Sequence, residues 1–252
     1  MRYKDQNRFR CQYLQGKVFQ VSIKQSKLRR VRMKTSKASE LSEYLRENYP
    51  VNKTSISQRK LRCGVGINNA DYLTQPVVNG EQIKCPVYVV WSGMLMRVYD
   101  ENKRKYHLAY AGCKVCDEWL TFNNFREWYI KNHVDGYELD KDLLSPKNKI
   151  YSPDTCIFVP AWLNSFTIDC EARRGKYLIG VTWNDKRGKF VARCRDPKTK
   201  KQKNLGGFLT EQEAYDCYLT RKLEIASEIR PEMDKIDVRI YPNVVYIIKN
   251  HK

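Results

Sequence analysis

The strongest constraint on the fold lies in residues 173–226, "RRGKYLIGVTWNDKRGKFVARCRDPKTKKQKNLGGFLTEQEAYDCYLTRKLEIA". Strand-like runs are broken here by "DKRG" and "DPKTKK", whose Gly, Pro, Asp and Lys are turn formers. A period of two sends successive side chains to opposite sides. Val181, Ala192, Cys194 and Leu205 share the parity of an inner face, which leaves Thr182, Asn184, Arg193, Arg195, Gln202 and Asn204 on the other. The apolar face needs a cover. Thr210 and Glu213 form a capping box that opens a helix, and Ala214, Cys217 and Tyr218 of that helix can close the inner face. Segment 171–230 is therefore predicted to be a three-stranded antiparallel sheet backed by one helix. Its open face of Arg, Asn and Gln can enter a major groove and read base edges. Lys200 and Lys201 crowd a turn, where point charges suit phosphates.

The segment resembles the AP2 DNA-binding domain over nearly its whole length, through "GVTW", "GKFVA", "RDP", "LGGF" and "EAYDCY". The resemblance implies double-stranded DNA as partner, with Thr182, Asn184, Arg187, Arg193, Arg195, Lys200, Lys201, Gln202 and Asn204 as the contact set. Arg187 and Asn204 replace strand aromatics of the plant versions, so the base preference of those versions does not carry over.

Charge distribution points to the same partner. Of a formal net charge of +19, residues 1–80 contribute 17 basic against 5 acidic side chains and residues 171–230 contribute 15 against 8, while residues 81–170 are near neutral with 11 against 12. Two basic blocks around a neutral middle suit a chain whose ends grip a polyanion. No long basic amphipathic helix accompanies the charge, and the longest apolar run, "VYVVWSGMLMRV", is too short to span a bilayer, so no membrane partner is expected. Nine cysteines at irregular spacing suit reduced thiols and a cytoplasmic protein rather than a disulfide framework. Cys113 and Cys116 have zinc-ligand spacing, but a tetrahedral site needs two further ligands, which only Cys156, Cys170 or His107 could bring from a distance. Structural zinc is not expected, nor is a small-molecule substrate.

The rest of the chain reads as a basic N-terminal module over 1–60, a middle segment over 61–170 and a C-terminal tail over 231–252, making an α+β, multidomain protein. "SKASELSEYLREN" predicts a helix stopped by Pro50, and "VNKTSISQRK" reads as a polar linker. "CPVYVVWSGMLMRVYD" fits a buried strand running into a helix. Trp119, Phe122, Phe125 and Tyr129 recur every three or four residues, an amphipathic helix with an aromatic core side. A strand in "YELDKDLL", a turn at "SPKNK", a strand in "DTCIFVP" and a helix from "AWLNSF" follow. Phosphodiester hydrolysis needs a divalent cation on a few oxygen ligands, and the carboxylates of "ELDKD" sit in the least basic part of the chain.

The ordered set "WSGMLMRVYD", "CKVCDEWLTFNNFREWY" and "ELDKD…NKIYSPDTCIFVPAWLN" resembles the phage-type HNH endonucleases, homing enzymes included, over about residues 60 to 168. The resemblance implies a ββα-metal core, a nicking or homing endonuclease activity, Mg²⁺ or another divalent cation, and a monomer. It places Asp140 and Asn164, six residues beyond Phe158, as the metal ligands. Lys141 stands where a general-base histidine is usual, so Lys141, or Asp142 acting through water, takes the catalytic base position, with His133 as a further candidate. Two other functions fit the same residues: a DNA-binding regulator whose HNH fold has lost its base, and an RNA-binding or interaction protein.

Overall fold

The computed structural model describes residues 36–104, 110–168 and 175–251. The basic segment 1–35, with "KVFQVSIK", lies outside the described residues, as do His107 and Cys170. The described residues all belong to one compact unit, which begins at Lys34. It is a mixed α+β structure.

Ser36 caps the first helix, α1 (Lys37–Asn48), by accepting the Ser39 N–H, and the helix ends ahead of Pro50. The segment expected to be a linker instead forms a short helix, α2 (Lys53–Ser57), capped by Asn52. Beyond it the Arg59 guanidinium donates to the carbonyls of Asn68, Ala70 and Tyr72, at 2.9, 2.6 and 3.0 Å. Polar composition suggested a linker, but these residues satisfy the backbone of an irregular loop. A small hairpin, β1 (Val77–Val78) with β2 (Glu81–Gln82), leads to α3 (Pro86–Tyr99). The run "CPVYVVWSGMLMRVYD" holds no strand of its own: Pro86 opens the helix directly, and its buried Val87, Trp91, Met94, Leu95 and Val98 follow helical spacing. The Val-rich start imitates a strand because the run has too few polar residues to display a period.

After α4 (Glu101–Arg104) come β3 (Lys114–Val115), a 3-10 turn at Asp117–Leu120 and α5 (Phe122–Asn132). Then β4 (Tyr137–Asp140), β5 (Ile150–Tyr151), β6 (Ile157–Pro160) and α6 (Ala161–Phe166) complete a β–β–α unit. β4 and β6 pair antiparallel, while β5 leaves the hairpin to pair parallel with β3. Trp91, Trp119, Phe122, Phe125 and Tyr129 form the centre of a first core that also takes Leu45 from α1 and Phe158 from β6. The aromatic stripe of α5 is thus packing, and α1 belongs to the same core as the middle segment.

His133, at the end of α5, is 8% exposed, stacks on Tyr129 at 4.4 Å and shares a 2.7 Å hydrogen bond with the Ser36 hydroxyl. Burial lowers its pKa below the usual imidazole value. A base held neutral in the fold stabilises it above the unfolded pKa, and that contribution is lost as pH falls through the lower folded pKa. Relative to a His133→Gln variant, the chain should therefore lose denaturant stability on going from pH 7.5 to pH 5. The same loss in both would show that His133 is not the titrating anchor.

The second half consists of β7 (Val181–Asn184), β8 (Lys189–Arg195) and β9 (Gln202–Phe208), an antiparallel sheet in that order, followed by α7 (Glu211–Glu228). The Thr210–Glu213 capping box is present in both directions. Val181, Ala192 and Cys194 are buried under α7, and Leu205 is kept on that side by an irregularity between the Ala192↔Gly206 and Arg193↔Asn204 pairs. Gly180 holds a φ of +79° against the Tyr218 ring, which an added Cβ would meet at 2.1 Å.

The C-terminal residues form two helices, α8 (Arg230–Ile236) and α9 (Ile240–Lys249). Met233, Ile240, Val244 and Ile248 are buried in a second core with Ile225 of α7 and with Leu143, Val159, Leu163 and Phe166 of the β–β–α unit. Asn243 donates to the carbonyls of Leu143 and Leu144, at 2.9 and 3.0 Å. The C-terminal residues thus tie the β–β–α unit to the sheet's helix. Among the described residues no helix is long and apolar enough to cross a membrane.

Candidate metal centre and nucleic-acid face

Pairing of β4 with β6 sets Glu138 opposite Val159 and Asp140 opposite Ile157. Opposed residues of an antiparallel pair share a face, so both carboxylates lie on the side where Val159 meets α6. Asp140 is 9% exposed, and its Oδ1 accepts the N–H groups of Asp142 and Leu143, at 2.8 and 2.7 Å. These bonds bend the chain out of the strand. Desolvation outweighs them and pushes the Asp140 pKa up to about 6. Asn164, on α6, donates through Nδ2 to Glu138 Oε2 at 2.8 Å.

Asp140 Oδ2 and Asn164 Oδ1 accept no hydrogen bond among the described residues. Both are hard oxygen donors of the kind Mg²⁺ takes. No group of three or more His, Cys, Asp or Glu placed to hold a metal occurs among the described residues. One carboxylate and one amide still fit a cation that keeps several waters and shares substrate phosphate. No direct bond joins Asp140 to Asn164 among the described residues; the bonded partner of Asn164 is Glu138.

Lys141 is 5% exposed, and its ammonium contacts the Asp142 carboxylate, the Asn148 carbonyl at 3.2 Å and the Tyr151 ring at 5.9 Å. All three are acceptors, so Lys141 is engaged as a donor that closes the loop between β4 and β5. Asp142 is half exposed. His133 is not beside this centre: it meets Phe158 edge-on at 4.9 Å, and Phe158 points to the first core, opposite to the side of its neighbours Ile157 and Val159. Burial pushes the Cys156 thiol up to about 12. A groove of about 630 Å³ is lined by Ile157, the cross-strand partner of Asp140, with Trp128, Tyr137, Phe158, Lys235 and Arg239.

On the sheet, Thr182 and Arg195 are exposed, and Arg193 and Arg195 lie across from Asn204 and Gln202 in register. Several of the expected contact residues are also occupied in shaping the backbone. Asn184 accepts the Arg187 N–H at 3.2 Å, Asn204 accepts the Gly206 N–H at 3.0 Å, and Arg195 donates to the Lys200 carbonyl at 2.9 Å. Lys200 holds a φ of +59° in the exposed turn with Lys201. Lys198 crosses to the Glu232 carboxylate of α8 and lies 5.7 Å from the Trp162 ring. Lys189 is a further cation of the open face, since it shares the parity of Arg193; its stem would stand 3.5 Å from a Cβ at Gly207. The alternation carried this signal, hidden because Lys189 borders the turn.

Comparison of the chain with known protein families, curated proteins and solved structures yields no match.

Proposed function

We propose that the chain is a divalent-metal-dependent DNA endonuclease of the phage HNH type, which reads duplex DNA with its three-stranded sheet and cuts or nicks it at the β–β–α unit. The observation that carries this reading is Asp140, a nearly buried carboxylate with one oxygen committed to its own turn and the other available, on the same hairpin face as the amide-bearing α6. A basic sheet joined to that unit through a shared core supports a duplex partner.

In this reading Asp140 Oδ2 and Asn164 Oδ1 hold the cation, whose contribution is to offset charge on the scissile phosphate and the leaving oxygen. Asp142, half exposed, takes the proton of the attacking water, and Lys141 orients it through their ion pair. Arg193, Arg195, Gln202 and Asn204 face base edges, whereas Lys200, Lys201 and Arg187 suit phosphates.

The test is incubation of the full chain with duplex phage genomic DNA with and without Mg²⁺ or Mn²⁺. Discrete nicks or cuts that require the metal support the reading. Their absence with every divalent cation, alongside site-selective duplex binding, favours the regulator, a reading supported by the engagement of Lys141 with Asp142 and Asn148. Stronger binding to structured RNA than to duplex would overturn both.

Reading and gripping separate by mutation. Arg193→Ala should cost about 1–3 kcal/mol on a preferred site and far less on random duplex. Lys200→Ala should weaken both alike and lower the salt slope by about one. Identical behaviour of the two variants at several salt concentrations would make the sheet an electrostatic clamp without sequence preference.

A further inference from the structure

Asparagine offers a cation only its carbonyl oxygen, yet its amide can rotate to present either end. Which end faces the metal must be set by something else. Asn164 Nδ2 donates to Glu138 Oε2 at 2.8 Å, and Glu138 is half-buried on the same β4 face as Asp140, two residues away. A carboxylate accepts only, so this bond selects the amide nitrogen and turns Oδ1 away from Glu138. We propose that Glu138 is the positioning residue of the metal centre, which fixes the Asn164 amide in the one orientation able to ligate a cation. This inference rests on the metal-site reading above.

The relation is that of an outer carboxylate orienting an inner ligand, whose loss typically weakens metal binding about 10–100-fold. Glu138 also adds negative charge beside a site with few anionic ligands of its own. Its partner lies 26 residues away on α6. The bond therefore doubles as the side-chain link between hairpin and helix, and a merely structural role would show up as stability alone.

The experiment is a Mn²⁺ titration of the full chain without DNA, followed by electron paramagnetic resonance of the unbound ion. It compares the unaltered chain with Glu138→Gln, Glu138→Ala and Asp140→Asn, with a melting temperature for each. Glu138→Gln preserves shape but permits the amide to pair in either sense, so its Mn²⁺ affinity should fall about tenfold with little change in melting temperature. Cleavage by Glu138→Gln should return to the unaltered rate at saturating metal, which separates a positioning residue from a ligand. Unchanged Mn²⁺ affinity in both Glu138 variants, with affinity lost in Asp140→Asn, overturns the role of Glu138 and leaves the site intact. No Mn²⁺ uptake by the unaltered chain, together with no metal-dependent cleavage of duplex DNA, overturns the site reading and the inference with it.

Discussion

Asp140→Asn is expected to abolish metal-dependent cleavage while raising the melting temperature of the metal-free chain at pH 7.5. The sign follows from the Asp140 pKa, raised from 3.8 to about 6 by burial. An acid whose folded pKa lies above its unfolded one favours the fold fully below the unfolded value, and that contribution is lost as pH rises through the folded value. Between about 3.8 and about 6 the chain thus gives up stability, and at pH 7.5 the ionised carboxylate imposes the whole cost. A shift of this size corresponds to something on the order of 3 kcal/mol. Asparagine keeps an oxygen for the Asp142 and Leu143 N–H groups and carries no charge to desolvate. Paired measurements of DNA nicking and thermal melting at pH 7.5 and pH 5 provide the check, with the stability difference shrinking at the lower pH. Retained cleavage would remove Asp140 from the chemistry. A lower melting temperature at pH 7.5 would show instead that the carboxylate's hydrogen bonds outweigh its burial.

Ile240→Ala should be the most disruptive single change in the C-terminal residues, costing about 2–5 kcal/mol. Ile240 is fully buried and packs in one core with Met233, Val244, Leu143, Val159 and Leu163. The cavity left behind borders the β–β–α unit as well as α7, so both should loosen together. Denaturant unfolding followed separately by fluorescence of a reporter tryptophan and by far-ultraviolet circular dichroism should give coincident transitions, each shifted to lower denaturant. Ile240→Val, which removes one methylene, should cost only about 0.5–1.5 kcal/mol. If both variants unfold as the unaltered chain does, α9 is an appendage and the shared core does not hold the candidate centre.

That core has a consequence for the proposed nuclease. A reader and a cutter joined only by a flexible chain would place the cut at variable distances from the bound sequence. Here Asn243 ties α9 to the carbonyls of Leu143 and Leu144, just beyond Asp140, while Val244 of the same helix shares the core that includes α7. The sheet's helix and the candidate metal centre are therefore held by the same packed residues.

Local patterns in this chain were legible without coordinates. Alternation of Val181, Ala192 and Cys194, the turns between them and the Thr210–Glu213 box lie within a few residues of one another, so the β7–β8–β9 sheet and α7 follow from the sequence alone. The four aromatics around α5 likewise declare a buried stripe. Where hydrophobicity is continuous, as through α3, the period vanishes and Pro86 at the helix start was the better signal. The C-terminal helices carried a helical stripe of Ile240, Val244 and Ile248, but no sequence pattern says what such a stripe covers.

The candidate centre divides along the same line. Asp140 and Asn164 stand out by residue type and spacing, whereas Glu138 does not, because its meaning lies in a bond across 26 residues that exists only once β4, β6 and α6 have packed. Packing also decided against His133, whose neighbours Ser36 and Phe158 turn it into the first core, and bound Lys141 to Asp142, Asn148 and Tyr151. Strands and helices are legible in the residues wherever short-range periodicity and caps act. Tertiary structure alone decided which polar groups face one another, because hydrogen bonds and burial between distant residues arise from packing that no local period encodes.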